Sequence, residues 1–174
     1  MRGNVVVILL ALLIFRSASA ASPSVSLSSK ERNNLQRVAM ALRDAIVRED
    51  TFAIMKQVSQ SGLGCTDDHI AYNKVEADLL SKDGYLHRSL FDSANFAKEC
   101  GAGYGPEYPA ISDKEFFSSE QQQSIEIIPS SAIEAQIVFK SRIPNHYKRE
   151  WDFKKEHGEW KLNYGVIVGS CSCG

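Results

Sequence analysis

The chain has 174 residues, of which 20 are Lys or Arg and 21 are Asp or Glu, for a formal net charge of −1. That length suits one domain. The interleaved charge excludes a nucleic-acid binder, which needs clustered positive charge.

Met1–Ala20 has a short positive start at Arg2, an unbroken apolar run over Val5–Phe15, and small residues at Ala18-Ser19-Ala20. This is the layout of a secretory signal peptide. The run is shorter than the roughly 20 apolar residues of a spanning helix, and no second one follows. The expectation is a secreted, extracellular protein without membrane insertion, with an uncleaved anchor as the alternative. Without Arg2 and Arg16, 18 basic residues face 21 acidic ones, a net charge near −3.

Residues 21–28 read as a flexible leader. Ser28-Ser29-Lys30-Glu31 fits a capping box, with a Ser oxygen accepting from the backbone three residues on and Glu31 reaching back. Leu35, Val38, Ala39, Leu42, Ala45 and Ile46 then form one apolar stripe, which predicts a helix from about Ser29 to Arg48. Asp50 or Thr51 caps a shorter second helix with Phe52, Met55 and Val58 on one side, ended by Ser61-Gly62-Leu63-Gly64. Asn73 is expected to cap a third, with Val75, Leu79 and Leu80 as its apolar side, and Lys82-Asp83-Gly84 stops it. Tyr85–Gln123 carries no clear period. Its Gly-rich Cys100–Pro106 stretch precedes no Lys-Ser/Thr pair and is a loop rather than a phosphate cradle.

Period two begins at Ser124–Ile128 and returns in Ile133, Ala135, Ile137 and Phe139, with Glu134, Gln136 and Lys140 opposite. His146–Val168 follows as a β-hairpin broken at His157-Gly158. Tyr147, Arg149, Trp151 and Phe153 share one face of its first arm. Trp160, Leu162, Tyr164, Val166 and Val168 share one face of its second. Lys148, Glu150, Asp152, Lys154, Lys161 and Asn163 take the other side, so one sheet face is wet and one dry. Helices first and consecutive antiparallel strands after them predict an α+β domain over residues 29–170, its helices covering the dry face.

Four cysteines in an exported chain favour disulfides. Joining Cys171 to Cys173, in the tail 171–174, would close a very small, strained ring. Each is therefore expected to reach back separately, one to Cys65 and one to Cys100, with the pairing open. A zinc site of all four is the alternative, but neither Cys65 nor Cys100 has the close Cys partner that zinc sites use.

The N-terminal helix pair, Gly64-Cys65 with Tyr72-Asn73-Lys74, and Trp151-Asp152-Phe153 with Gly158-Glu159-Trp160-Lys161-Leu162 give the chain a resemblance to the nuclear transport factor 2-like superfamily. It is most similar to the secreted single-domain members found in nematodes, over roughly Lys30–Gly169. The resemblance implies a cone: a strongly curved antiparallel sheet wrapped against helices around an apolar cavity. In that superfamily the cavity can catalyse, bind or merely be core, so fold does not fix function.

An isomerase- or dehydratase-like enzyme, in the manner of ketosteroid isomerase, needs a carboxylate base in an apolar pocket and a group to hold an enolate oxygen. Tyr72, Tyr147 and Tyr164 could donate, and Asp67, Asp68, His69 or Glu134 could act as base. Glu134 lies on the wet parity, however, and Asp67-Asp68-His69 reads as solvated loop. His87, His146 and His157 are scattered, and no nucleophile–base motif occurs. No catalytic residue, metal ligand or cofactor is therefore assigned. A binding module needs only a pocket lined by Phe139, Tyr147, Arg149, Trp151 and Phe153 with Trp160, Leu162 and Tyr164. Core packing is the ordinary fate of these residues. For Arg149 the expectation is a place at the sheet rim with its head in water; pointing inward, it would need a carboxylate or a ligand anion. The charged outer face argues for a monomer or a modest homodimer. The resulting reading is a non-catalytic binding or protein-interaction module whose partner is a small apolar ligand or an extracellular protein.

Overall fold

The computed structural model describes residues 25–64, 69–100, 111–118, 124–141 and 148–164, with the side chains of residues 99 and 100 excepted. The expected signal peptide, Tyr147, Val166, Val168 and the side chains of all four cysteines lie outside the described residues.

Helix α1, Ser29–Val47, begins at the Ser28 cap, whose hydroxyl accepts from the Glu31 N–H at 3.2 Å. The Glu31 side chain does not serve the expected box: its Oε2 accepts from Trp160 Nε1 at 3.1 Å and pairs with Lys155 Nζ at 2.9 Å. The α1 stripe buries Leu35, Ala39, Leu42, Ala45 and Ile46. Asp50 caps α2, Thr51–Gln57, accepting from Ala53 N–H at 2.9 Å. Its buried side is Ile54 and Met55, while Phe52 is 70% exposed, against expectation, with Lys56 Nζ 4.2 Å above its ring. Val58 does not continue the helical side either. It is extended, past the helix end, and bridges to Leu162.

Strands β1, Leu63–Gly64, and β2, His69–Ile70, pair antiparallel. Helix α3, Tyr72–Leu80, is capped at Ala71, not Asn73; it buries Val75 and Leu79 and leaves Leu80 exposed. Among the described residues, the stretch without a clear period holds three short helices: α4, Tyr85–Phe91; α5, Ser93–Cys100; and α6, Asp113–Ser118.

The remaining strands are β3, Ser124–Pro129; β4, Glu134–Lys140; β5, Lys148–Glu156; and β6, Glu159–Tyr164. They form an antiparallel run in which Ala135 faces Phe153, Ile137 faces Trp151, and Phe153 faces Leu162. The hairpin turn falls at His157 and Gly158, with φ of 50° and 86°, the left-handed pair that a tight two-residue hairpin requires. Long-range pairing adds β1 beside β6 in parallel, so among the described residues the sheet is mixed and six-stranded, in the order β2-β1-β6-β5-β4-β3. One face of β4, β5 and β6 joins the helices in a single core, which makes the domain α+β with its helices on the dry face. Ile133 lies outside β4 and is exposed.

Arg149 corrects the expectation most. It is 2% exposed, among the largest fully buried side chains, and not at a rim. Strand parity points it inward, and a carboxylate from α6 meets it there.

Candidate functional site

Phe139, Trp151, Phe153, Trp160 and Leu162 are all brought together, and all are buried. They pack on one another and on the helices. The ring centroid of Trp151 lies 4.8 Å from that of Phe139 and 5.2 Å from that of Phe117, both edge to face. Tyr164 is half-buried. Among the described residues the space left between the helices and β6, lined by Leu42, Ile46, Ile54, Leu79, Leu90 and Leu162 with neighbours, amounts to about 10 Å³. That is scarcely the volume one water needs.

Among the described residues the buried charged groups are Asp113 and Arg149, which pair with each other. Ser112 caps α6, its hydroxyl accepting from Glu115 N–H at 3.2 Å, and Ser93 Oγ donates to that hydroxyl at 2.9 Å. The cap fixes Asp113 in the first helical turn, facing β5. Arg149 Nε donates to Asp113 Oδ1 at 2.6 Å, Nη2 to Ile111 O at 2.8 Å and Nη1 to Lys148 O at 3.1 Å. The guanidinium carbon lies 4.8 Å from the centre of the Phe116 ring. Burial pushes the Asp113 carboxyl up to about 6, against the opposing pull of the Arg149 charge. Asp113 Oδ2 and Trp151 Nε1 are buried and have no hydrogen-bond partner among the described residues. Sequence reasoning missed Asp113. The signal was there in Ser112-Asp113-Lys114-Glu115, a capping-box pattern followed by two phenylalanines.

Among the described residues, the acid–base candidates named from sequence do not assemble. Glu134 is exposed on β4 and His69 is exposed on β2. Tyr72 OH donates to Met55 O at 3.3 Å, and His157 lies exposed in the hairpin turn. Asp67, Asp68, His146 and Tyr147 lie outside the described residues. No group of three His, Cys, Asp or Glu able to hold a metal occurs among the described residues.

A second clamp ties the hairpin tip to the chain after α2. Ser59 Oγ donates to Glu156 Oε1 at 2.5 Å and Gln60 N–H to Oε2 at 3.0 Å. Burial pushes Glu156 up, but these bonds outweigh it and hold the carboxyl below its ordinary value. On the wet side of the sheet an open groove of about 450 Å³ runs past Ile128, Glu134, Gln136, Asp152 and Lys154.

No protein-family model matches this chain, and no curated protein matches it. Among solved structures it is similar to an NTF-2 like protein of unknown function from Shewanella oneidensis MR-1, determined at 1.70 Å resolution. The TM-score is 0.42 and the identity 15%, over 78% of this chain and 96% of that one.

Proposed function

We propose that the chain is a secreted, non-catalytic protein-interaction module of the nuclear transport factor 2-like kind, akin to the exported single-domain members. The occupied interior carries this reading. Trp151, Trp160, Phe139 and Phe153 fill with their own rings the space a small ligand would use, and the buried guanidinium is bonded to Asp113, Ile111 and Lys148. Recognition then falls to the surface, with an extracellular protein as partner. The wet sheet face carries the ion pairs Glu126–Lys140 and Lys148–Glu150, which favours a monomer or a modest polar dimer. Arg2, Val5–Phe15 and Ala18-Ser19-Ala20 support export. No helix among the described residues is long and apolar enough to cross a membrane.

Native mass spectrometry of the secreted full chain tests the reading. The expected spectrum lacks residues 1–20, shows two disulfides and carries no small molecule. A co-purifying apolar ligand would refute an occupied interior and restore the pocket. One observation favours an isomerase- or dehydratase-like enzyme instead: a buried carboxyl at Asp113, raised to about 6, beside aromatic rings. Such chemistry needs a carboxyl of this kind beside its substrate. Turnover of a β,γ-unsaturated ketone that is abolished by Asp113→Asn would establish that reading over the first.

A further inference from the structure

The groove of about 450 Å³ on the wet face crosses four strands. Ile128 on β3 stands opposite Gln136 on β4, Gln136 opposite Asp152 on β5, and Asp152 opposite Tyr164 on β6, next to Asn163. Ile128 is 43% exposed, a large apolar side chain left in water at the β3 end. Asp152 is half-buried and accepts from Gln136 Nε2 at 3.1 Å. Its neighbours on this face have cations: Glu126 pairs with Lys140 and Glu150 with Lys148. Lys154 lines the groove too, but it stands opposite Glu134 and offsets that carboxylate. Asp152 itself has no cation partner among the described residues. Burial pushes its carboxyl above the ordinary value against the pull of the Gln136 bond, and the charges of Glu150 and Glu134 add to the push. A cation is the partner this floor lacks.

We propose that this groove docks an extended segment of an extracellular protein, with an arginine of that segment on Asp152 and an apolar side chain on Ile128. Charge complementarity selects the first contact. Gln136 gives an amide N–H to Asp152, which leaves its amide oxygen as an acceptor beside the carboxylate. A guanidinium, with its planar fork of N–H donors and no acceptor, serves both oxygens at once. Spacing selects the second. Two strand intervals put Ile128 roughly 10 Å from Asp152, the span of about three extended residues. The segment therefore carries an apolar residue and an arginine three positions apart. This inference rests on the surface-interaction reading and names the chemistry of its partner.

NMR titration of the secreted full chain with the peptide acetyl-Leu-Gly-Ser-Arg-amide decides it, with citrulline replacing arginine as the uncharged isostere. The expected result is saturable shifts of the Ile128 methyls and the Gln136 side-chain amide. The citrulline peptide should bind roughly fivefold more weakly, the upper range for a partly exposed ion pair. Asp152→Asn keeps the shape and the Gln136 bond, and it should weaken the arginine peptide by the same factor. The comparison of the two peptides needs no variant, so it stands even where the substitution disturbs folding. Equal affinity for both peptides, or an unperturbed groove, overturns the proposal and leaves the occupied interior standing. Shifts at the Trp151 and Phe139 rings in place of the groove would seat the peptide in the interior and overturn both readings.

Discussion

Replacing Arg149 by methionine keeps a long apolar stem on β5 and removes the guanidinium. The loss comprises a charge-assisted bond to Asp113 at 2.6 Å and bonds to the Ile111 and Lys148 carbonyls at 2.8 and 3.1 Å. It strands Asp113, which is 2% exposed, without a counter-charge. Removing one partner of a buried pair costs about 3–5 kcal/mol, whereas replacing both by apolar groups is often neutral or stabilising. Protonation of Asp113, already pushed up to about 6, limits the penalty to that range. Arg149→Met should therefore lower the unfolding free energy at pH 7 by about 3–5 kcal/mol, and the double variant Asp113→Leu/Arg149→Met should recover most of it. For a chain of this size each kcal/mol shifts the midpoint by roughly 2–4 °C, so the single variant should melt on the order of 6–20 °C lower. Guanidinium titration followed by near-UV circular dichroism measures both variants. A cost below about 1 kcal/mol, the range of exposed pairs, would mean that the Arg149 head lies in water, and the account of the site would be wrong. So would a double variant no more stable than the single.

Asp113 also sets a pH dependence. Its folded pKa of about 6 lies above the ordinary 3.8, so the folded state holds this proton more tightly. The contribution, about 3 kcal/mol for a shift of roughly two units, is complete below pH 3.8 and is lost as pH rises through about 6. Subtracting the stability–pH curve of Asp113→Asn should isolate that fall, and a flat difference between pH 4 and 7 would contradict it. Gly62 and Gly158 both hold positive φ, at 102° and 86°, but a Cβ at Gly62 would overlap the Ile70 carbonyl while one at Gly158 meets nothing. Gly62→Ala should accordingly cost clearly more than Gly158→Ala, which carries only the backbone penalty of about 1–2 kcal/mol; equal melting temperatures would refute the difference. Glu31→Gln removes the charge that joins α1 to Lys155 on β5 while keeping an acceptor for Trp160. It should leave the thermal melting midpoint nearly unchanged, because an exposed ion pair contributes little, and a clear fall would show the pair to matter more than its partial exposure allows.

The two arms of the hairpin, the caps at Ser28 and Asp50, and the α1 stripe were legible because each repeats one geometric period over several turns or residues. The stretch from Tyr85 to Ser118 was not. Helices α4, α5 and α6 have seven, eight and six residues, and about two turns are too few for a stripe to emerge against background. The parallel pairing of Gly64 with Tyr164 joins segments 100 residues apart and leaves no local trace. Val138 has outward parity yet is 3% exposed; it sits between the Glu126 and Glu150 positions of the neighbouring strands, whose long side chains flank it.

Arg149 is the instructive failure, because its parity was read correctly and then set aside on residue type. Its neighbours Trp151 and Phe153 point inward on the same strand, and nothing local breaks the alternation between them and Arg149. Charge makes burial costly, but the cost is conditional on having no partner, whereas strand parity is a matter of backbone geometry and allows no such exchange. The missing quantity was therefore a carboxylate held rigidly enough to meet the guanidinium. Ser112 supplies the rigidity by capping α6, and Phe116 and Phe117 supply the apolar anchor that turns the Asp113 side of that helix toward β5. An inward arginine in a regular strand thus carries information about a distant segment: it predicts a capped acidic residue beside aromatics, even where that segment has too few turns to show a period.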